Sequence, residues 1–163
     1  MYMKRFFFGA MMLLCAVGAK AWQGEVPIET PNSQLLLFAQ EGGDLRQSYY
    51  GDKSATWQQL RDAGADFSFE ALPAFGSVDA VHLPALQVQH VDGDLNLELT
   101  VTDYSRSDDG RTVVHTFVMQ DKVMPVTVKV FYKAYKHVDV IETWTEISTS
   151  RSEERRVGKE CRS

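Results

Sequence analysis

Leu95, Leu97, Leu99 and Val101 alternate with Asn96, Glu98, Thr100 and Thr102, and this period of two constrains the chain more than any other feature. Successive side chains of an extended strand point to opposite faces, so the aliphatic residues share one face and the polar residues the other. Val126, Val128, Val130 and Tyr132 repeat the pattern against Thr127, Lys129 and Lys133. Further strand-like runs span Leu86 to His90, Arg111 to Val118 and Val138 to Ile147. Asp92-Gly93 and Asp109-Gly110 lie between runs, where glycine supplies the positive φ of tight hairpins. Residues 86–147 therefore predict an antiparallel β-meander whose apolar face needs a partner sheet. The chain before it reads as leader, edge or loop decoration.

That earlier chain alternates short apolar runs with turn residues. Val26 to Thr30 reads as an extended lead-in and Pro31 to Ser33 as a turn. Gln34 to Ala39 reads as a buried strand, and Leu45 to Tyr50 as another that Gly51-Asp52 ends. One short helix is expected from Thr56 to Ala63, with Ser54 capping its first turn, Gly64 ending it, and Trp57 and Leu60 on its buried side. Ala65 to Gly76 is an aromatic loop broken by Pro73 and Gly76. No internal repeat or low-complexity tract is visible. The expected fold class is all-β: an antiparallel β-sandwich, supersandwich-like and incomplete, with one short helix.

The two ends differ from the middle. Met1 to Arg5 is basic, Phe6 to Ala16 almost wholly apolar, and Ala19-Lys20-Ala21 a small-x-small cleavage pattern. This matches an export signal peptide over residues 1–21, cut before Trp22, and places the mature chain in the periplasm or outside the cell with no membrane attachment. An uncleaved anchor is disfavoured because a span needs roughly 20 apolar residues. Residues 151–163 are highly charged and follow neither strand nor helix periodicity. They resemble an adaptor-derived tail and are set aside from the fold, which leaves residues 22–150 as the domain.

Those residues carry nine basic and nineteen acidic side chains. Such an acidic module repels phosphate backbones, which argues against nucleic acid as a partner. The two cysteines, Cys15 and Cys161, lie in the leader and the tail, so the domain offers neither a disulfide framework nor a thiolate metal site.

Residues suited to chemistry are present without the spacing that chemistry needs. His82, His90, His115 and His137 are scattered, and no two stand at a spacing that suits one metal ion. His115 falls among core-like strand residues, where a satisfied hydrogen bond is its ordinary role. Asp103, Asp108 and Asp109 bracket a turn, but Gly110 and Val114 are wrong for a helix-loop-helix calcium site, so a solvated hairpin tip is expected. Abundant carboxylates do not by themselves make the spaced pair of a glycosidase, and no serine elbow, phosphate loop or zinc-protease motif occurs. Tyr49, Tyr50, Trp57, Phe67, Phe69 and Phe75 are an aromatic set able to stack on sugar rings. Packing between loops and sheet is their more ordinary use.

Four strings together carry a family resemblance: Thr30-Pro-Asn-Ser-Gln-Leu-Leu-Leu37, Ser48-Tyr-Tyr50 before Gly51, Thr102-Asp-Tyr-Ser105, and Val138-Asp-Val-Ile-Glu-Thr-Trp144. Over residues 25–148 the chain resembles the amino-terminal domain of family 36 glycoside hydrolases, the α-galactosidases. The resemblance implies a large β-sandwich in front of a (β/α)₈ barrel, in an enzyme that removes terminal α-linked galactose with retention and needs no metal or organic cofactor. The family's two catalytic aspartates belong to the barrel. One lies in a Trp-Asp-type motif, whereas Trp22, Trp57 and Trp144 are followed by Gln23, Gln58 and Thr145. No catalytic residue carries over. Tetrameric members use a loop of this domain to complete a neighbouring subunit's sugar pocket, and the matching positions are Tyr49, Tyr50, Gly51 and Asp52.

The expectation is thus an exported, non-catalytic fragment, inactive alone, that scaffolds a missing catalytic barrel and the subunit contacts of a homo-oligomeric galactoside-cleaving enzyme. The alternative is a free-standing carbohydrate-binding module.

Overall fold

The computed structural model describes residues 21–62, 68–77, 84–89, 93 and 95–149. Residues 1–20 of the expected signal peptide, the charged tail, His82, His90, Phe67 and Gly64 lie outside them. Two four-stranded antiparallel sheets make up the described fold. The first contains β1 (Gly24–Glu29), β2 (Ser33–Ala39), β3 (Arg46–Asp52) and the two-residue β4 (Phe69–Glu70), in that order. The second is a meander of β5 (Leu99–Asp108), β6 (Thr112–Asp121), β7 (Val126–Tyr135) and β8 (Ile141–Thr149).

The period-two residues meet between the sheets. Val126, Val128, Val130, Tyr132 and Ala134 of β7 are buried beside Val113, His115, Phe117 and Met119 of β6. From the first sheet Val26 and Ile28 of β1 join Leu35, Leu37 and Ala39 of β2 in the same core. Each buried aliphatic or aromatic side chain stabilises the fold by about 1.5–3 kcal/mol. At the centre Phe117 is wholly buried under Trp22, Tyr104 and Tyr132, at ring separations of 5.7, 5.0 and 6.1 Å. The edge position of β1 accounts for Pro27, which has no amide proton to give a further strand.

Several expectations are corrected. Residues 24–52 are not decoration on the meander but the partner sheet its apolar face required. The helix is no constituent of the layers, which are β throughout. The only helical stretch among the described residues is the turn and a half Trp57–Asp62. Ser54 does not cap it. Thr56 Oγ1 accepts from the Gln59 amide at 3.2 Å while Gln59 Oε1 accepts from the Thr56 amide at 2.9 Å, a reciprocal box that closes so short a turn. The fold class is an open pair of antiparallel sheets.

Strand limits move as well. Leu86 makes an isolated bridge to Ala74, so the strand expected from Leu86 to His90 does not form over its described residues. In the run from Leu95 the burial alternates as the sequence requires, but pairing begins only at Leu99. The Leu97 amide donates to Phe75 O at 3.1 Å and the Glu98 amide to Asp121 Oδ1 at 2.7 Å. A loop and a side chain therefore take the bonds that a neighbouring strand would have supplied. The hairpin at Asp109-Gly110 forms as expected, with Gly110 at φ +86°.

Cover stops at β7. Ile141, Thr143, Thr145 and Ile147 pair with Ala134, Tyr132, Val130 and Val128 and so share their face, yet Ile147 is 54% exposed where Val128 is fully buried. On the other face Trp144 stacks on Phe131 at 4.7 Å with rings nearly parallel.

Candidate functional site

Four turns meet at one end of the sheets: Thr30–Asn32, Lys53–Thr56, Asp109–Arg111 and Lys136–Val140. Asp139 ties the first to the last. Its Oδ1 accepts from Thr30 Oγ1 at 2.8 Å and the Asn32 amide at 2.7 Å, and its Oδ2 accepts from Asn32 Nδ2 at 2.7 Å. These bonds, those from Asn32 foremost, hold the Asp139 carboxyl below the usual carboxylate range. Asp139 thereby joins the two sheets through residues 107 and 109 positions apart in sequence. The Lys53 amide donates to Asn32 O and the Lys136 amide to Arg111 O, both at 3.0 Å.

Tyr49, Tyr50, Gly51 and Asp52 stand on the last residues of β3, beside this cluster. A register shift between Leu36 and Leu37 leaves Ser48 unpaired. Such a bulge re-aims the residues that follow. Tyr50 points outward, 59% exposed. Tyr49 folds over Gly51 and its hydroxyl donates to Asp52 O at 3.1 Å. A Cβ on Gly51 would lie 2.5 Å from the Tyr49 hydroxyl oxygen, so a larger residue there would displace the Tyr49 ring. Asp52 Oδ1 accepts from the Ser54 amide at 2.7 Å, and hydrogen bonds from Ser54 lower the Asp52 pKa. Buried Gln34 of β2 fastens the turn from below, donating through Nε2 to Asp52 O at 3.4 Å and to Ala55 O. The four residues therefore form a rigid tip carrying one free aromatic face and one carboxylate. That chemistry stacks and hydrogen-bonds, and it contains no paired acid and base.

The other candidates separate. His115 is buried, and its Nδ1 lies 2.9 Å from the Tyr104 hydroxyl. Burial first, and the Arg106 charge second, push its pKa down to about 4. Asp109 accepts from the Arg111 and Thr112 amides and from Thr112 Oγ1 at 2.6–3.0 Å, and Asp108 accepts from the Gly110 amide at 2.9 Å. These carboxylates stabilise the hairpin. Phe69 and Phe75 are exposed at 61% and 37% rather than packed into the core. Among the described residues no three His, Cys, Asp or Glu side chains are grouped to hold a metal ion. No helix among them is long and apolar enough to cross a membrane.

Sequence reasoning missed the Asp139 clasp and a charged cavity under it, because both depend on residues brought together from opposite sheets. One signal was available. The strings around Thr30 and around Asp139 both stood out as motifs, and the structure shows that they touch.

Two open antiparallel sheets, clasped at one end and bearing an aromatic turn beside the clasp, define an all-β domain of sandwich type. The chain belongs to the glycosyl hydrolase family 36 N-terminal domain family, whose model matches residues 42–160. No curated protein sequence matches it. Among solved structures the fold is similar to a variant of the family 36 α-galactosidase AgaA from Geobacillus stearothermophilus in complex with 1-deoxygalactonojirimycin, with TM-score 0.68 and 16% identity. It is also similar to the galactosidase domain of the α-galactosidase-sucrose kinase AgaSK, with TM-score 0.62 and 18% identity. A third similar structure is the α-galactosidase from Lactobacillus brevis, with TM-score 0.58 and 17% identity. The likeness covers 77%, 76% and 76% of this chain but only 22%, 22% and 21% of those chains. The chain thus spans about a fifth of the length of these structures.

Proposed function

We propose that this chain is the non-catalytic amino-terminal domain of an exported family 36 α-galactosidase, acting as a scaffold beside a (β/α)₈ barrel that hydrolyses terminal α-galactosides. The observation that carries the reading is the coincidence of the family match over residues 42–160 with a fold likeness confined to about a fifth of α-galactosidase chains. Tyr50 and Asp52, held on a rigid tip, are suited to contact a galactoside or a neighbouring subunit. Their support is the exposure of Tyr50 and the fixed geometry of the turn. Export follows from the signal pattern of residues 1–21.

The exposed Tyr50, Phe69 and Phe75 favour a second reading, a free-standing carbohydrate-binding module. Incubating the purified chain with an aryl α-galactoside, beside galactoside calorimetry, separates the two. The scaffold reading expects neither turnover nor tight binding. Turnover would sink it, and tight binding without turnover would establish the module.

A further inference from the structure

The end of the sandwich that Asp139 clasps holds an open, cleft-like cavity of about 310 Å³. Three cations line it from three separate segments: Lys53 after β3, Arg106 on β5 and Lys136 after β7. Glu29 and Asp108 also line it, and buried His115 contributes to its wall. In an acidic domain this is a local excess of positive charge.

Hydrogen-bonding capacity is more telling than net charge. Asp108 is already well supplied, accepting from Lys136 Nζ at 2.6 Å, Arg106 Nη2 at 3.2 Å and the Gly110 amide at 2.9 Å. Its pKa is lowered to about 2, chiefly by the Lys136 hydrogen bond. The donors are in surplus. Arg106 commits one of the five N–H groups a guanidinium offers, and Lys136 one of three. Lys53 meets Glu29 only at 3.5 Å. His115 uses Nδ1 for Tyr104, and its Nε2 has no partner among the described residues. When Tyr104 donates to Nδ1, the imidazole carries its proton on Nε2 and becomes a further donor. A cavity rich in unspent donors, whose better-placed carboxylate is already engaged, suits a ligand made of acceptors.

The geometry points to this cavity as a binding site for a small organic oxyanion, a carboxylate or phosphate ester no larger than a monosaccharide. Arg106 and Lys53 grip it from opposite sheets and His115 contacts it from within. The site holds whether or not the scaffold reading above does, since it uses none of Tyr49, Tyr50, Gly51 or Asp52.

Calorimetry on the full chain at low salt tests it with D-galacturonate, galactose 1-phosphate, inorganic phosphate and, as a neutral match in size, galactose. The His115 pKa is followed by NMR in each. An oxyanion in the cavity raises the His115 pKa by offsetting the Arg106 charge, whereas galactose leaves it unchanged. The carboxylate and phosphate arms decide which headgroup the site prefers. Lys53→Ala, at an exposed position outside the core, and Arg106→Gln are each expected to weaken binding at least fivefold. Binding that leaves His115 unmoved, affinity indifferent to both substitutions, equal binding of galactose, or no binding of any probe would each overturn the assignment.

Discussion

Acidification places a defined load on His115. The imidazole is neutral when folded, with a pKa near 4 instead of the ordinary 6.5. From pH 6.5 downward the unfolded chain gains a proton that the folded chain refuses, so stability falls. The contribution is complete above about pH 6.5 and is lost once the pH has dropped through about 4. At about 1.4 kcal/mol for each pH unit between those values, the ceiling is about 3 kcal/mol. His115 lines a cavity open to solvent, and discounting for solvent screening leaves about 2 kcal/mol. His115→Gln keeps an acceptor for the Tyr104 hydroxyl and removes the titration. Urea unfolding of both proteins at half-unit steps from pH 7.5 to 4 isolates the term, because every other titrating group is common to the pair. The wild type should lose about 2 kcal/mol more than the variant, with the difference growing below pH 6.5. Parallel losses within about 0.5 kcal/mol, or an NMR pKa for His115 near 6.5, would refute the argument.

Other outcomes follow from the packing and the clasp. Phe117→Ala should cost about 3–5 kcal/mol in urea unfolding, since it empties the centre of the Trp22, Tyr104 and Tyr132 cluster; a loss under 1 kcal/mol would mean that the sheets are not packed as described. Gln34→Ala strips the buried donor beneath Asp52 and Ala55 and should cost about 1–3 kcal/mol while making the Tyr50 fluorescence environment more mobile; an unchanged midpoint counts against the pinned turn. Asp139→Asn should lower the melting temperature at neutral pH, and the gap to the wild type should close as the pH falls through the depressed Asp139 pKa; a gap independent of pH would contradict the charged clasp. β8 forms one edge of its sheet, and its pairing with β7 runs without a register shift. It carries no lysine or proline to guard that edge. The chain should therefore self-associate at high concentration, and Thr145→Lys should reduce the association in sedimentation velocity.

The meander was legible because period two is a local property. Val126, Val128, Val130 and Tyr132 needed no neighbour to declare their face, and Asp109-Gly110 announced its own turn. The limits of strands were less legible. Leu97 alternates in burial as a strand residue would, yet bonds to the Phe75 loop, and no local pattern distinguishes those partners. Trp57 to Asp62 follows a helical spacing in sequence but amounts to a turn and a half. Two of the four motif strings that pointed to the family, those around Thr30 and Asp139, were visible from the start as residues without a stated task.

By itself, then, the amino-acid sequence determined that the chain is β and which face of the Leu95 and Val126 runs turns inward, since both rest on spacing within a short stretch, while four motif strings carried the resemblance to the family. Only tertiary structure decided that residues 24–52 are the second sheet, that Asp139 clasps Thr30 and Asn32, and that Lys53, Arg106, Lys136 and His115 share one cavity. Those facts depend on contacts between residues tens of positions apart. Burial changes the proton affinity of a histidine or the value of an unspent donor, and burial exists only once the two sheets have closed on each other.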